Sequence, residues 1–448
     1  MNLDAQDTIV AIATPAGRGG VGIVRLSGPL ALQIALNISE QQHLKPRYAV
    51  FTKCQDENRQ SIDEGIVIYF KAPHSYTGED VVEFQMHGSP FVLMEIMHIC
   101  IKYGARLALP GEFTERAFLN EKIDLLQAEA VVDLINAQSA TAAKMAVRTL
   151  QGKFSEQVHS IENDIKAIRR YVESTIDFSD EALDWLEQYQ WNIRINAIIE
   201  DIGRLKNQAQ QGQILQSGLN IVLAGKPNVG KSTLMNLLAQ QEVAIVASVA
   251  GTTRDVMKEQ VLIDDIPVTL IDTAGLRESV DEIEKEGIKR ARKAIKLADL
   301  ILFLHDATQE QILQNELPAD LIQEVPKDTP IIHVINKIDI CATQSSNNYL
   351  CISAQNGDGI PELKNKIKSF LGIQLEQSEF IARKRHIIIF DKVQQQLLLA
   401  INAFAVHQAP ELLAEDLRFA HNSLAEITGE FNADDLLGDI FANFCIGK

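Results

Sequence analysis

The chain of 448 residues is long enough for about three domains. Its 46% hydrophobic and 23% charged residues are ordinary for a globular protein, and no apolar run approaches the ~18 residues of a membrane span. A formal net charge of −18 argues against broad non-specific nucleic-acid binding. Basic runs at 166–170 (KAIRR), 289–293 (KRARK) and 382–386 (ARKRH) could form local patches. Each also reads as a solvated helix face, KRARK most clearly because acidic DEIEKE precedes it. The opening MNLDAQDTIV has acidic residues and no basic start, so a signal peptide is not expected and the chain reads as cytoplasmic. Five cysteines, Cys54, Cys100, Cys341, Cys351 and Cys445, form no CxxC pair. Neither a disulfide framework nor a structural zinc site is expected, and His87 and His98 read as packed or surface residues.

In chain order, TIVAIAT, GIVRLSG, EGIVIYF and DVVEFQMHG are short apolar or alternating runs punctuated by glycine and proline. They predict the strands of an α+β domain over 1–120. Over 121–217 proline is absent and Ile123, Leu126, Ala130, Leu134 and Ala137 recur at helical spacing, predicting one long helix or two. IENDIKAIRRYVESTI and QWNIRINAIIEDIGRLKN continue the pattern, so the whole stretch reads as helical. Over 218–375 the short apolar strands NIVLAG, PVTLIDT, DLILFLHD, PIIHVIN and NYLCISA are mostly separated by helical segments, which predicts an α/β domain with a parallel sheet. Over 376–448 the pattern is helical again. Helices on both sides of an α/β unit suggest one helical domain with the α/β domain inserted in a loop, because domain termini often lie close together.

GKPNVGKS, 225–232, matches GxxxxGK[ST] after a strand and before a helical segment, the context of a phosphate-binding loop. Its backbone amides and the helix N-terminus suit phosphate oxygens, Lys231 can reach the β- and γ-phosphates, and Ser232 can bind Mg²⁺. DTAG ends the strand PVTLI, and its aspartate can bind or orient Mg²⁺. NKID ends PIIHVI, and Asp339 can accept hydrogen bonds from guanine N1 and the exocyclic amine, which adenine cannot reproduce. SAQ follows the next strand, and GTTRD lies where a switch loop should place a Mg²⁺-binding threonine. The candidate GTP site is thus Asn228, Val229, Gly230, Lys231, Ser232 and Thr233, then Ala247, Ser248, Val249, Ala250, Gly251, Thr252 and Thr253. Asp272, Thr273, Ala274 and Gly275 follow, then Asn336, Lys337 and Asp339, and finally Ser353, Ala354 and Gln355. One departure matters. Ras-like proteins follow DTAG with a glutamine that positions the attacking water, but this chain has Leu276. Glu278, Asp281, Glu282, Glu284 and Glu286 follow, and composition does not separate a water-positioning carboxylate from a solvated acidic helix start.

GRGGVG, 17–22, matches GxGxxG, but the strand-like IVRLSGP follows it, so a dinucleotide-binding turn is rejected. A loop near an anionic ligand and a tight hairpin with an arginine at its tip both remain. The tail NFCIGK has its cysteine fourth from the end. Gly447 and Lys448 fit a prenylation box poorly, leaving a buried small hydrophobe or a thiol that takes part in chemistry.

TPAGRGGVGIVRLSG, SYTGEDVVEFQMHG, PGEFTERAFLNEKIDLLQAEAVVDLI, GKPNVGKS, GTTRD, DTAGLRE and FCIGK, in this order across essentially the whole chain, resemble the MnmE (TrmE) family of tRNA-modification GTPases. The terminal box and PGEFTERAFLN are specific to it, whereas the GTPase motifs are shared more widely. The resemblance implies an N-terminal domain (1–120) that binds a 5-formyl- or methylene-tetrahydrofolate and dimerises. It implies a helical domain (121–217 and 376–448) split by an inserted GTPase domain (218–375). It also implies a homodimer working with an FAD-dependent partner, MnmG, to install an aminomethyl-type group, such as carboxymethylaminomethyl, on C5 of the wobble uridine of certain tRNAs.

The same resemblance implies folate binding at Arg25, Glu83, Lys122 and Lys448. It implies K⁺ at Asn228, Ala247, Val249 and Thr252, Mg²⁺ at Ser232 and Thr253, and Glu284 as the water-positioning carboxylate that replaces the missing glutamine. Lys231 would stabilise developing charge, and Cys445 would take part in the modification chemistry as nucleophile or redox group. The apolar face Leu436, Leu437, Ile440, Phe441 and Phe444 would carry Cys445 inward. Two rivals stand beside this reading. A ribosome-assembly GTPase shares the nucleotide motifs but would normally carry a basic RNA-binding module. A GTP-controlled scaffold without group transfer would leave Cys445 and Arg25 without effect on tRNA modification.

Overall fold

The computed structural model describes residues 7–176, 182–241, 258–272, 294–309, 323–326, 329–341, 349–370, 379–430, 438, 440–442, 444 and 447. The chain divides into two compact units, one of residues 1–135, 149–202 and 389–448, the other of residues 136–148 and 203–388. No described helix is long and apolar enough to cross a membrane.

The first unit holds a six-stranded sheet of β1 (Thr8–Ile12), β2 (Gly19–Ser27), β3 (Val50–Gln55), β4 (Ser61–Phe70), β5 (Val81–Gly88) and β6 (Ala105–Leu107). The order is β3-β4-β5-β2-β1-β6, antiparallel throughout except for β1 against β6. Successive side chains of a strand face opposite ways. Accordingly Val10 joins a core with Ile34, Ile38, Phe84, Ile96 and Ile99, closed by helices Ala31–Ile38 and Pro90–Lys102. Its neighbours Ile9 and Ala11 pack instead with Ala108 and Phe113. The four runs expected as strands are β1, β2, β4 and β5. GRGGVG leads into β2 as a hairpin arm. Gly17 has φ +130°, and the pairing with β5 shifts register between Gly19 and Gly22. A Cβ on Gly22 would lie 2.4 Å from Leu93 Cδ1, so this arm lies close against the neighbouring helix.

The helical stretch is interrupted where capping groups intervene. Asp124 Oδ1 accepts from the Gln127 N–H at 2.8 Å and Gln127 Oε1 accepts from the Asp124 N–H at 3.0 Å, a reciprocal cap that starts helix Leu125–Ile135 afresh after Glu112–Leu119. Ser139 Oγ accepts from the Ala142 N–H at 3.1 Å at the start of Ala140–Leu150. In Lys153–Ile176 the residues Phe154, Val158, Ile161, Ile165, Ile168 and Val172 form a buried stripe at helical spacing. This helix packs on Pro410–Ala425, whose own stripe is Leu413, Leu417, Ala420 and Leu424. KAIRR lies on the first of these helices, with Ile168 in the core, Arg169 half-buried 3.2 Å from Glu173, and Arg170 exposed. In ARKRH, Ala382 and His386 are buried, and KRARK lies outside the described residues. Tyr171 stacks on Tyr189 and Trp191 meets Phe404 edge-on, tying the remaining helices of this unit.

The second unit holds β7 (Leu219–Gly225), β8 (Lys258–Ile263), β9 (Ile266–Asp272), β10 (Leu300–Asp306), β11 (Ile331–Asn336) and β12 (Tyr349–Cys351) in the order β12-β11-β10-β7-β9-β8. All pairs are parallel except β8 against β9. Every residue of the central strand β10 is buried, and Leu300–Leu304 within it is the apolar run that a parallel sheet covered on both faces requires. Helix Lys231–Gln241 follows β7 and helix Ile360–Phe370 follows β12.

Candidate functional site

The phosphate-loop motif lies where β7 gives way to helix Lys231–Gln241. Two glycines are sterically compulsory there. A Cβ on Gly225 (φ +143°) would lie 2.5 Å from the Leu304 carbonyl oxygen, and one on Gly230 (φ +95°) would lie 2.2 Å from Asn336 Nδ2. Asn228 occupies the left-handed region at φ +64°, turning the loop back on itself. Lys231, 3% exposed, donates from Nζ to the Gly225 and Lys226 carbonyls at 2.9 and 2.8 Å, so its ammonium lies over the loop it serves. Ser232 Oγ donates to Asp272 Oδ2 at 2.9 Å. This hydroxyl and carboxylate come from different elements and form a hard-oxygen pair suited to Mg²⁺.

The base-recognition segments converge on the same loop. Asn336, at the end of β11, donates from Nδ2 to the Val229 carbonyl at 2.9 Å and accepts at Oδ1 from the Ala354 N–H at 2.9 Å. One buried carboxamide thus links the phosphate loop, NKID and SAQ. Lys337 has φ +71°, and its Nζ donates to Asp306 Oδ2 at 2.6 Å. Burial pushes the Asp306 carboxyl up, but Lys337 and the Thr308 donors outweigh it and hold it below its ordinary value. Ser353 Oγ donates to Asp339 Oδ1 at 2.6 Å and accepts from the Asn356 N–H at 3.1 Å, which fixes the orientation of the carboxylate expected to read guanine. Thr233 is exposed on the first helical turn, and Gln355 is exposed beside Ala354. The remaining predicted nucleotide and ion ligands, Ala247 to Thr253, Thr273, Ala274, Gly275 and Glu284, lie outside the described residues.

The first unit gathers a second set. Arg25 and Glu83 face each other across β2 and β5, with Arg25 Nε and Nη2 at 2.9 and 2.8 Å from Glu83 Oε1. The Arg25 guanidinium lies 5.6 Å from the centre of the Tyr76 ring and 5.8 Å from that of Phe113, within cation–π range. Burial pushes the Tyr76 phenol up against the opposing pull of Thr114 and Arg25. Gly447 reaches the same place. Its carbonyl lies 3.5 Å from Arg25 Nη1, and a Cβ on it (φ +94°) would lie 2.4 Å from the Ile12 carbonyl oxygen. Ile440, Phe441 and Phe444 pack against Leu125 and Ala128 and draw the segment in. Lys122 is exposed, its aliphatic stem close to Gly78. Leu436, Leu437, Cys445 and Lys448 lie outside the described residues.

Beside this cluster is an ion-pair network. Arg116 binds Asp7, Glu79 and Glu112, and Arg106 binds Asp7 and Glu112. Glu112 is fully buried. Burial pushes its carboxyl up, but Arg106, the Leu109 N–H and Arg116 together hold it below its ordinary value. Glu79 also accepts from Ser27 Oγ at 2.6 Å, which joins the network to β2 two residues from Arg25. Residue-by-residue reading missed Tyr76, Phe113, Gly447 and this network. PGEFTERAFLN contained the signal, since its charges at 112 and 116 share one helix face.

Two family models match the chain, GTP-binding protein TrmE N-terminus over residues 8–122 and MnmE helical domain over residues 125–445. Among curated relatives, the tRNA modification GTPase MnmE of Legionella pneumophila (strain Paris) is 51% identical over 444 residues, 99% of each chain. That of Francisella philomiragia subsp. philomiragia is 49% identical over 451 residues, again 99% of each. Among solved structures, Aquifex aeolicus Era bound to GDP and AlF4⁻ is 26% identical, covering 40% of this chain and 66% of its own at a TM-score of 0.27.

Proposed function

This chain belongs to the MnmE family of tRNA-modification GTPases, and from that membership we propose that it hydrolyses GTP with K⁺ and Mg²⁺ to support modification of the tRNA wobble uridine. The observation that carries the nucleotide half is the convergence of the phosphate loop, Asp272, NKID and SAQ through Asn336 and the Ser232–Asp272 pair. In this reading Ser232, Asp272 and Thr253 hold Mg²⁺, which neutralises phosphate charge. Asn228, Ala247, Val249 and Thr252 hold K⁺, which supplies further positive charge. Lys231 leaves its loop carbonyls to bind phosphate oxygens, Asp339 orients guanine, and Glu284 positions the attacking water for in-line displacement.

The second half rests on the Arg25 cluster. Arg25, Glu83, Lys122 and Lys448 would hold a tetrahydrofolate derivative, which supplies the one-carbon unit. The guanidinium and lysines suit its anionic oxygens, the Glu83 carboxylate suits pterin N–H donors, and Tyr76 and Phe113 offer ring faces. Cys445, two residues before the docked Gly447 in sequence, would act on this ligand in the same reading. We infer a cytoplasmic homodimer acting with the FAD-dependent MnmG, the transferred group being of the carboxymethylaminomethyl class.

The test is nucleoside mass spectrometry of total tRNA from a strain lacking this gene, rescued with wild type or Cys445→Ser. The reading expects C5-aminomethyl uridines to vanish and to return only with wild type. Rescue by both would make the thiol structural. No change in either direction would defeat the reading and turn attention to ribosome assembly.

A further inference from the structure

Among the described residues, a group of metal-competent donors lies apart from both sites. His159 and Glu162 are spaced i and i+3 on helix Lys153–Ile176, and so share one face. Glu430 closes the turn that follows helix Pro410–Ala425. One donor atom from each lies within 4.8 Å of the other two. His159 Nδ1 is 2.8 Å from Glu162 Oε2. The Glu162 side chain is only 1% exposed, yet its Oε1 is buried with no hydrogen-bond donor. A buried acceptor left without a donor is unfavourable, and a second carboxylate at this range adds repulsion.

We propose that His159, Glu162 and Glu430 form a divalent-metal site of the imidazole–carboxylate class, taking a zinc-type ion with water completing its coordination. One nitrogen and two carboxylates are a recognised donor set for such an ion. A cation between them gives the buried Glu162 carboxylate a positive partner and offsets the repulsion from Glu430. The site opens to solvent through Glu430 and the half-exposed His159, which gives the ion an entry path. It needs no thiol, so the lack of a CxxC pair does not bear on it. Its structural effect is to tether the turn at Glu430, from which the chain runs on toward Gly447, to the central helix of this unit.

Cobalt(II), a spectroscopic stand-in for zinc, tests this with the full-length, nucleotide-free protein. Wild type should take up one equivalent with visible d–d bands and no thiolate-to-cobalt charge transfer in the near ultraviolet. Glu162→Gln is isosteric and Glu430→Gln lies at an exposed position, so both should melt as wild type does without metal. Each should bind cobalt at least tenfold more weakly, whereas Cys445→Ser should bind it unchanged. Absence of the bands in wild type, cobalt binding by both glutamine variants as tight as wild type's, or a thiolate band lost in Cys445→Ser would each overturn the proposal.

Discussion

Replacing Asn336 by aspartate tests whether one buried carboxamide organises the nucleotide site. Asn336 is 2% exposed and makes two hydrogen bonds at 2.9 Å, donating to the Val229 carbonyl and accepting from the Ala354 N–H. Aspartate keeps the acceptor toward Ala354 but places an oxygen against the Val229 carbonyl. The lost bond leaves a buried acceptor unsatisfied, worth about 1–3 kcal/mol. Because Val229 sits within the phosphate loop, that energy falls on nucleotide affinity, a weakening of roughly 5- to 150-fold. Asn336→Ala removes both bonds and should weaken binding further. Equilibrium titration with a fluorescent GDP analogue measures the effect, with thermal melting as the control for folding. If Asn336→Asp bound nucleotide within twofold of wild type at an unchanged melting temperature, the claim that this side chain joins the three segments would be wrong.

Other expectations concern both units. Glu284→Ala should lower GTP turnover by about a hundredfold while leaving nucleotide affinity near wild type, as single-turnover hydrolysis would show. Arg25→Ala should weaken tetrahydrofolate binding at least tenfold in a calorimetric titration and leave GTPase activity intact, because Arg25 and the nucleotide residues belong to different units. Gly447→Val should abolish rescue of tRNA modification without changing GTP hydrolysis, since a side chain there collides with the Ile12 carbonyl. The lowered Asp7 and Glu112 carboxyls stabilise the folded state fully above the ordinary carboxylate range, and that contribution is lost as pH falls through their lowered values. The melting temperature should therefore drop more steeply from about pH 5 to about pH 3 in wild type than in Glu112→Gln; equal slopes would remove the network from acid stability.

Legibility followed the reach of each interaction. Strands such as LILFLHD were readable because a strand covered on both faces carries a near-continuous apolar run, here its first five residues. β3 was not, because VFTKCQ mixes exposed polar and buried positions, and three-residue β6 is too short for any period. The long helical stretch gave its period but hid its breaks, because the Asp124–Gln127 cap is a local polar exchange inside an apolar pattern. Motif spacing placed Lys231, Ser232, Asp272, Asn336 and Asp339 in one site, since fixed loops follow fixed strands. It could not show that Asn336 spans the loops or that Tyr76 and Phe113 flank Arg25. Those contacts join residues far apart in sequence, and only the packed chain brings them together.

The seating of Gly447 against β1 also bears on the order in which the molecule is made. Gly447 follows Arg25 by 422 residues, so during synthesis the Arg25 cluster stays open on its Gly447 side until that much further chain has been made. The nucleotide-binding residues described above all precede that glycine, and the hydrogen bonds that join them do not involve it. The fold thereby separates the nucleotide loops, joined through Asn336, from an Arg25 cluster that is closed on one side only when Gly447 is seated.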